Sequence, residues 1–386
     1  MNPSINSYDY SLRTDFCLQV TNKVLLEQVE RGSNFISSPL SFQVMLSLIA
    51  AGSSGDTLRQ LLSSLGADSV SHLSSSSAQI INFISPTATG RPTLSFVNGA
   101  WLDRSFCWNP PFEKFVKDAY KATVEEADFA NKADEVVREV NAWAERSING
   151  LIKQLLRGSS LDGETVLVLA NALYFKGSWD RRFDPSRTEL RDFHLLNGQI
   201  VQAPFMTSQL PYQSYGDARK FFMYMFLPHE KYGLPDLIVR FNSIPGFFDQ
   251  RFPLMKEELH DFWIPRLKFS FEFEASETMK EMGLQLPFMK FGAELTNMVD
   301  SPTSNKLFVS DMFQKSYIEV NEEGTEAVGS TATMAKLLCY DMQPLPGFVA
   351  DHPFMFMIRE ETSGLVFFTG AVLNPLLDDC VLQKYL

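Results

Sequence analysis

The most informative segment of the chain runs from Tyr317 to Thr333 and reads YIEVNEEGTEAVGSTAT. Three of its first four residues are aromatic or β-branched, which is typical of a strand. After Glu323 the side chains are mostly small, and no proline occurs. Surface loops normally carry proline, asparagine or aspartate turn chemistry. Composition alone favours a flexible loop before the last strands. The alternative is a segment that extends a strand when a groove between strands receives it.

Upstream, helical periodicity dominates the first third of the chain. An amphipathic helix is predicted from Asp134 to about Gly150, because apolar residues recur on one face. Its core positions are Val136, Val137, Val140, Trp143 and Ala144. The serine-rich stretch 69–77 is interpreted as a surface loop.

Strand patterns follow the helices. The run 166–175 is almost wholly apolar, which predicts a strand buried on both faces. Residues 267–274 alternate and predict a strand with one wet face, and Met223 to Leu227 is another buried strand. Segments 354–358 and 365–368 flank a short turn and predict a hairpin. Helices first and mostly antiparallel strands later indicate an α+β fold. No linker divides the chain, so we expect a single domain over residues 1–386.

Composition excludes several classes of protein. The chain has 386 residues, of which 45% are hydrophobic and 21% charged, with a net charge of −12. Nucleic acids and anionic membranes need clustered basic residues, so neither is an expected partner. No apolar run approaches the roughly 20 residues of a membrane span. The first eight residues lack a basic region and an apolar core, so we expect a soluble protein of the cytoplasm or nucleocytoplasm. Release to the extracellular space by a non-classical route is the alternative.

Catalytic motifs are lacking, and we predict that the protein is not an enzyme. No nucleophile elbow, zinc motif or phosphate loop occurs, so no metal and no cofactor are expected. Asp351 and His352 are adjacent at a strand entrance, where neighbouring side chains should point to opposite faces. Glu322 and Glu323 are interpreted as a solvated charge pair. A hydrolase is therefore the most remote of the functional alternatives.

Several segments, in the same order along the chain, resemble one family. Glu322–Ala327 (EEGTEA) is similar to the hinge of the serpin reactive-centre loop. The segment 34–41 (NFISSPLS) resembles the family's shutter, and 171–179 (NALYFKGSW) resembles the long central strand that ends at the breach tryptophan. Segments 348–354 and 370–375 resemble the C-terminal strands. The sequences of these segments most resemble the plant branch of the family.

The resemblance implies an α+β serpin fold, with helices packed on large, mostly antiparallel sheets and an exposed reactive-centre loop at about 322–347. It also implies irreversible inhibition of serine proteases, in which the cleaved loop inserts into the central sheet. The hinge would comprise Glu323, Gly324, Thr325, Glu326, Ala327, Val328, Gly329, Ser330 and Thr331. The shutter and breach would comprise Ser37, Ser38, Asn171, Trp179 and Gln314.

The family's loop spacing places the scissile bond at Leu338-Cys339. A leucine before that bond suits the hydrophobic primary pocket of chymotrypsin-like enzymes. Lys336 or Tyr340 would take its place if the loop register were shifted. The implied partner is a serine protease held as a covalent complex, with a cysteine protease as the alternative target, and the protein is expected to be a monomer.

Two departures from the family pattern favour a non-inhibitory alternative, in which the protein is a protease substrate or has a binding or storage role. Gln314 stands where the family usually has a shutter histidine, and glutamine cannot carry charge. An extra strand that relatives have after Ser208 is missing, so we expect an unpaired sheet edge.

Overall fold

The computed structural model describes residues 15–84, 93–148, 150, 152–176, 179, 182–207, 221–244, 246–250, 252, 259, 261–323, 347–377 and 379–381. Its helices are α1 (Asp15–Glu30), α2 (Pro39–Gly52), α3 (Gly55–Ser64), α4 (Val70–Ile84), α5 (Pro110–Tyr120), α6 (Phe129–Ser147), α7 (Leu234–Ser243) and α8 (Ser276–Glu281).

The strands are β1 (Phe35–Ser37), β2 (Thr93–Asp103), β3 (Thr123–Ala127), β4 (Leu167–Lys176), β5 (Glu189–His194), β6 (Ile200–Thr207), β7 (Phe221–Phe226), β8 (Phe262–Pro265), β9 (Leu267–Glu274), β10 (Asp311–Val320), β11 (Phe348–Val349), β12 (Phe354–Glu360), β13 (Val366–Val372) and β14 (Asp379–Val381). In the described residues they form three sheets, ordered β14-β9-β10-β4-β2-β3, β1-β13-β12-β7 and β11-β8-β6-β5. The α+β prediction is confirmed.

The six-stranded sheet is the centre of the molecule, because a core covers each of its faces. On one face, Leu169 and Leu173 of β4 join the main core with α2. On the other face, Ala170 and Tyr174 of β4 join a second core built with α6. The prediction that this strand is buried on both faces is therefore confirmed, and a nearly continuous apolar run is what such burial requires.

β4 and β10 are neighbours in this sheet and run parallel, with register pairs from Asp311↔Val168 to Tyr317↔Tyr174. Their outer neighbours, β2 and β9, are antiparallel to them. The sheet is therefore mixed. Its two central strands, β4 and β10, run in the same direction, towards the end of the sheet at which β10 stops.

Two helix predictions need correction. α6 begins at Phe129 rather than Asp134, because Asp128 caps it by accepting a hydrogen bond from the Asn131 amide at 3.1 Å. The serine-rich stretch predicted as a loop is helical, as part of α4. Ser77 is fully buried there and the Ser74 hydroxyl lies 3.0 Å from the Tyr120 hydroxyl. Small hydroxyl side chains fit a helix face where neighbouring helices come close, so composition misled the prediction.

The predicted hairpin is confirmed, since β12 and β13 pair antiparallel. β7 confirms the strand predicted near Met223, and it pairs with β12 at the end of its sheet in the described chain. β9 alternates less strictly than predicted, because Ser270 is buried along with its apolar neighbours. The segment 208–220, on which the expected unpaired edge depends, lies outside the described residues.

A search of the described ranges finds no helix long and apolar enough to cross a membrane. Within the same ranges, no group of three or more histidine, cysteine, aspartate or glutamate side chains is placed to hold a metal ion.

Candidate functional site

The candidate site is the place where the chain leaves the six-stranded sheet at the end of β10. Asn321, Glu322 and Glu323 follow the strand, and the described chain resumes at Gly347. There the Phe348 amide donates a hydrogen bond of 2.6 Å to the Asp261 carbonyl, and β11 pairs with β8 of a different sheet. The intervening segment is therefore tethered to one sheet at its start and to another at its end.

Most of the predicted reactive loop lies outside the described residues. This applies to the hinge residues Gly324 to Thr331, to the reactive bond Leu338-Cys339, and to the alternative anchors Lys336 and Tyr340. Glu323 is the one predicted hinge residue within the described part, and it is exposed.

Trp179, the predicted breach residue, lies against the start of the predicted hinge. Its indole N–H donates to the Asn321 carbonyl at 2.7 Å, and its amide donates to the Glu323 carbonyl at 3.2 Å. The Phe183 amide donates to the Glu322 carbonyl at 3.0 Å, and the Phe183 ring packs edge-on against Trp179. One short segment after β4 therefore binds each of the three carbonyls that follow β10.

Glu322 is buried in this arrangement, with 5% of its surface exposed. Its carboxylate accepts hydrogen bonds from Arg266 Nε at 2.7 and 2.8 Å, and further bonds from Arg266 Nη2 and the Thr188 hydroxyl. Burial alone would raise the pKa of Glu322, but the bonds from Arg266 and Thr188 hold this pKa below its ordinary value. The carboxylate is thus ionised at neutral pH and tied to the chain before β9.

The interpretation of Glu322 and Glu323 as a solvated pair is therefore wrong for Glu322 and correct for Glu323. Sequence reasoning also missed Arg266 and Thr188, which hold the buried carboxylate. The available signal was a single arginine between Pro265 and the apolar strand β9. Nothing local to that arginine indicates a partner more than fifty residues away.

Three predicted shutter residues, Ser37, Ser38 and Gln314, come together near the N-terminal half of β10. The Ser37 hydroxyl donates to Gln314 Oε1 at 2.6 Å, and Gln314 Nε2 donates to the Ser38 carbonyl at 2.9 Å. All three residues are fully or almost fully buried. Ser38 also caps α2, since its hydroxyl accepts from the Ser41 amide at 3.3 Å. Gln314 therefore binds the sheet to the start of a buried helix without any charge.

Asn171 lies directly opposite Gln314 in the register of β4 and β10. Its amide nitrogen donates to Asn98 Oδ1 at 2.8 Å and to the Val97 carbonyl at 3.1 Å, both on β2. Its Oδ1 is buried and has no hydrogen-bond partner within the described part of the chain. The two amide side chains face one another, yet each is bonded away from the other.

The geometric argument against an Asp351–His352 pair was wrong, because these residues lie in a bend and not in a strand. His352 Nδ1 lies 2.7 Å from Asp351 Oδ1, and Nε2 lies 2.9 Å from the Pro228 carbonyl. Burial would raise the pKa of Asp351, but the His352 hydrogen bond and charge hold this pKa below its ordinary value. Both ring nitrogens are engaged, so the ring joins two segments and neither nitrogen is available as a general base.

Comparison with known proteins decides the family. The family model described as Serpin (serine protease inhibitor) matches residues 11–375. This chain belongs to the serpin family. It is 45% identical to Serpin-ZX of Arabidopsis thaliana over 374 residues, covering 92% of this chain and 95% of the relative. It is 41% identical to Serpin-Z1C of Triticum aestivum, covering 95% of this chain and 96% of the relative.

Solved serpin structures agree with the fold. The structure of Arabidopsis AtSerpin1 in its native stressed conformation has a TM-score of 0.82 at 43% identity, covering 94% of this chain and 98% of that one. Uncleaved ovalbumin has a TM-score of 0.76 at 22% identity, covering 94% and 98%, which supports the fold alone. The predicted resemblance to plant serpins is confirmed, and the family is one of protease inhibitors rather than catalysts.

Proposed function

We propose that this serpin is an irreversible suicide-substrate inhibitor of serine-type endopeptidases with chymotrypsin-like, hydrophobic specificity. One serpin domain would span residues 1–386, with the reactive-centre loop at about 322–347. The observation that carries the proposal is the parallel pairing of β4 with β10, where β10 runs directly into the hinge. A segment that turns back after Glu323 would run antiparallel to both strands and could bond to each of them.

The hinge sequence suits this insertion. A strand inserted between β4 and β10 would bury its inward face against the main core, so a charged or bulky side chain on that face costs several kcal/mol. Alternation places Thr325, Ala327 and Gly329 on one face, and all three side chains are small. Glu326 and Val328 fall on the opposite face, so the larger side chains avoid the main core.

The chemical step belongs to the protease. Its serine would attack the Leu338 carbonyl, form an ester and release the amino group of Cys339, which takes a proton from the protease histidine. Insertion of the freed loop would carry the esterified protease away from its starting position before water cleaves the ester. Leu338 would occupy the primary pocket and set the specificity.

The non-inhibitory role is the second candidate, and Gln314 is the observation that favours it. Its bonds to Ser37 and Ser38 are neutral, so this position offers no histidine charge that could influence opening. Under this candidate the protease would cut the loop and leave before insertion. Under either candidate we expect a monomer in the cytoplasm or nucleocytoplasm, with the extracellular space as the alternative.

The deciding experiment mixes the purified protein with chymotrypsin at several ratios and separates the products on a denaturing gel. Inhibition predicts a band at the summed mass that survives boiling, and loss of protease activity in proportion to that band. The Leu338→Arg variant should form the same band with trypsin, while its complex with chymotrypsin should be lost.

Cleavage at Leu338 with fully active protease would contradict the inhibitory proposal and support the second candidate. A covalent complex in which the wild type is cut after Lys336 or Tyr340 would retain the inhibitory proposal but move the reactive bond. The melting temperature of the cleaved protein separates the candidates further, since only insertion stabilises it markedly.

A further inference from the structure

The neighbouring strands β4 and β10 meet along a line of seven register pairs, from Asp311↔Val168 to Tyr317↔Tyr174. We call this boundary between the two strands the line. Any strand that enters the sheet here has to separate these pairs. The backbone ladder is the same at each step, so side chains that contact one another across the line decide where it is held most firmly.

At the middle of the line, the described side chains form no such connection. Gln314 bonds to Ser37 and Ser38, which lie beneath the sheet, and Asn171 bonds to β2 on its other side. Asn171 Oδ1 has no partner in the described chain. Separating β4 from β10 at the Gln314↔Asn171 pair therefore breaks backbone hydrogen bonds, but it leaves the side-chain bonds of both Gln314 and Asn171 intact.

At the last register pair, two aromatic rings do meet across the line. The ring centroids of Tyr174 and Tyr317 are 6.0 Å apart, with the planes tilted by 38°. This separation is within the range in which aromatic pairs attract beyond their buried area. Tyr174 is 2% exposed, and both rings lie on the face that packs against α6.

Tyr317 is also held in place on its own strand. Its hydroxyl donates to Glu319 Oε2 at 2.6 Å, and Glu319 Oε1 accepts from Asn321 Nδ2 at 3.2 Å. Lys268 Nζ lies 3.8 Å from the same carboxylate. The Tyr317 ring is thus held by bonds that lead through Glu319 to Asn321, just before the predicted hinge.

Beyond Tyr317 the register pairs between β4 and β10 end, and the next bonds run from Trp179 and Phe183 to the carbonyls that follow β10. The last three residues of β10, from Ile318 to Val320, have register partners on β9, whereas the pairing with β4 stops at Tyr174. The two rings are therefore the last pair of side chains that meet across the register of β4 and β10, at the end from which a strand would enter.

We propose that the Tyr174–Tyr317 ring pair is the side-chain clasp of this sheet, and that its separation is part of the barrier to opening. The inference rests on the proposed function only in taking this line as the place of insertion. Tyr174 and Tyr317 would then be positioning residues, which set how readily the loop enters without contacting the protease.

Native-state hydrogen exchange tests the clasp without any protease. We compare the wild type with Tyr174→Leu, Tyr317→Leu and the double variant, because leucine keeps an apolar side chain while removing the ring. The expected result is about a five-fold rise in exchange of the β10 amides in each single variant, which is the size of one ring-pair interaction. The double variant should exceed the larger single effect only slightly, since the same contact is lost.

Two controls make the result specific. Tyr317→Phe keeps the ring and removes the hydroxyl bond to Glu319, so its β10 exchange should stay near that of the wild type. The amides of β12 and β13, in another sheet, should be unchanged in every variant. Equal acceleration in both sheets, unchanged β10 exchange in the leucine variants, or multiplying effects in the double variant would each overturn the clasp.

A synthetic peptide of residues 325–338 links the clasp to insertion. Its rate of annealing into the intact protein, followed by native gel and melting temperature, should rise about five-fold in the single leucine variants. If the wild type anneals the peptide but the variants do so no faster, the clasp fails while insertion stands. If the variants open faster by exchange but form no covalent protease complex, the clasp stands and the proposed inhibition fails.

Discussion

The hinge end and the shutter both bind β10, but they do so with different chemistry. At the hinge, a buried carboxylate on Glu322 is held by the guanidinium of Arg266 and the hydroxyl of Thr188. At the shutter, the neutral amide of Gln314 is held by a hydroxyl and a carbonyl from Ser37 and Ser38. Charge-assisted hydrogen bonds are about twice as strong as neutral ones. β10 is therefore held more firmly at its C-terminal end than at its middle.

The partners of the two regions also have different origins. Arg266 follows β8 and Thr188 precedes β5, so the hinge is tied to the sheet that receives the far end of the loop segment. Ser37 ends β1 and Ser38 caps α2, so the shutter is tied to the main core. Variants in one region should therefore leave the other nearly unchanged.

The largest expected effect is at the hinge. Arg266→Met removes the only cation bonded to Glu322 in the described chain and leaves a buried carboxylate without a charged partner. We expect a loss of about 3 kcal/mol in the free energy of unfolding, measured by urea titration. Glu322→Gln should cost only about 1 kcal/mol, because the Arg266 side chain is 42% exposed and can be hydrated.

Lys268→Met is the matched control for that prediction. Lys268 faces Glu319 at 3.8 Å and its side chain is 60% exposed. Exposed ion pairs contribute at most about 1 kcal/mol, so the unfolding midpoint should hardly move. Equal losses in Arg266→Met and Lys268→Met would refute the view that the hinge is the more firmly held region.

The next effect in size is at the shutter. Gln314→Leu leaves the buried Ser37 hydroxyl and Ser38 carbonyl without their partner, and we expect a loss of about 2 kcal/mol by urea titration. Gln314→His keeps a hydrogen-bonding side chain and should lose less at neutral pH. It should also introduce a pH dependence between 5 and 8 that the wild type lacks at this position. A loss below about 0.5 kcal/mol in Gln314→Leu would contradict the assigned network.

The smallest effect is a dependence of the hinge on pH. The folded-state pKa of Glu322 lies below the ordinary value of 4.5, so the folded protein holds this carboxylate ionised to lower pH than the unfolded chain does. Its contribution is complete above about pH 4.5 and is lost as the pH falls through the folded-state pKa.

Urea titrations between pH 6 and pH 3 check this sign. The stability difference of about 1 kcal/mol between the wild type and Glu322→Gln should shrink as the pH falls. The difference between the wild type and Gln314→Leu should stay constant over the same range, because no group in that network titrates there. A difference for Glu322→Gln that grows towards low pH would reverse the assignment.

Some of this could be predicted from local patterns. The continuous apolar run at β4 and the hairpin of β12 and β13 were predicted because burial on two faces and pairing across a short turn both leave local signatures. The insertion inferred from the small side chains after Glu323 stays a prediction, because residues 324–346 lie outside the described part of the chain.

Local sequence patterns were enough to identify the buried strands, because alternation and side-chain size are local properties. Only the folded chain shows that β10 lies parallel to β4, that Glu322 is buried against Arg266, and that the ring of Tyr317 meets that of Tyr174. Each of these depends on residues far apart in the chain. Periodicity cannot report such contacts, because the same glutamate is solvated or buried according to what the fold brings beside it.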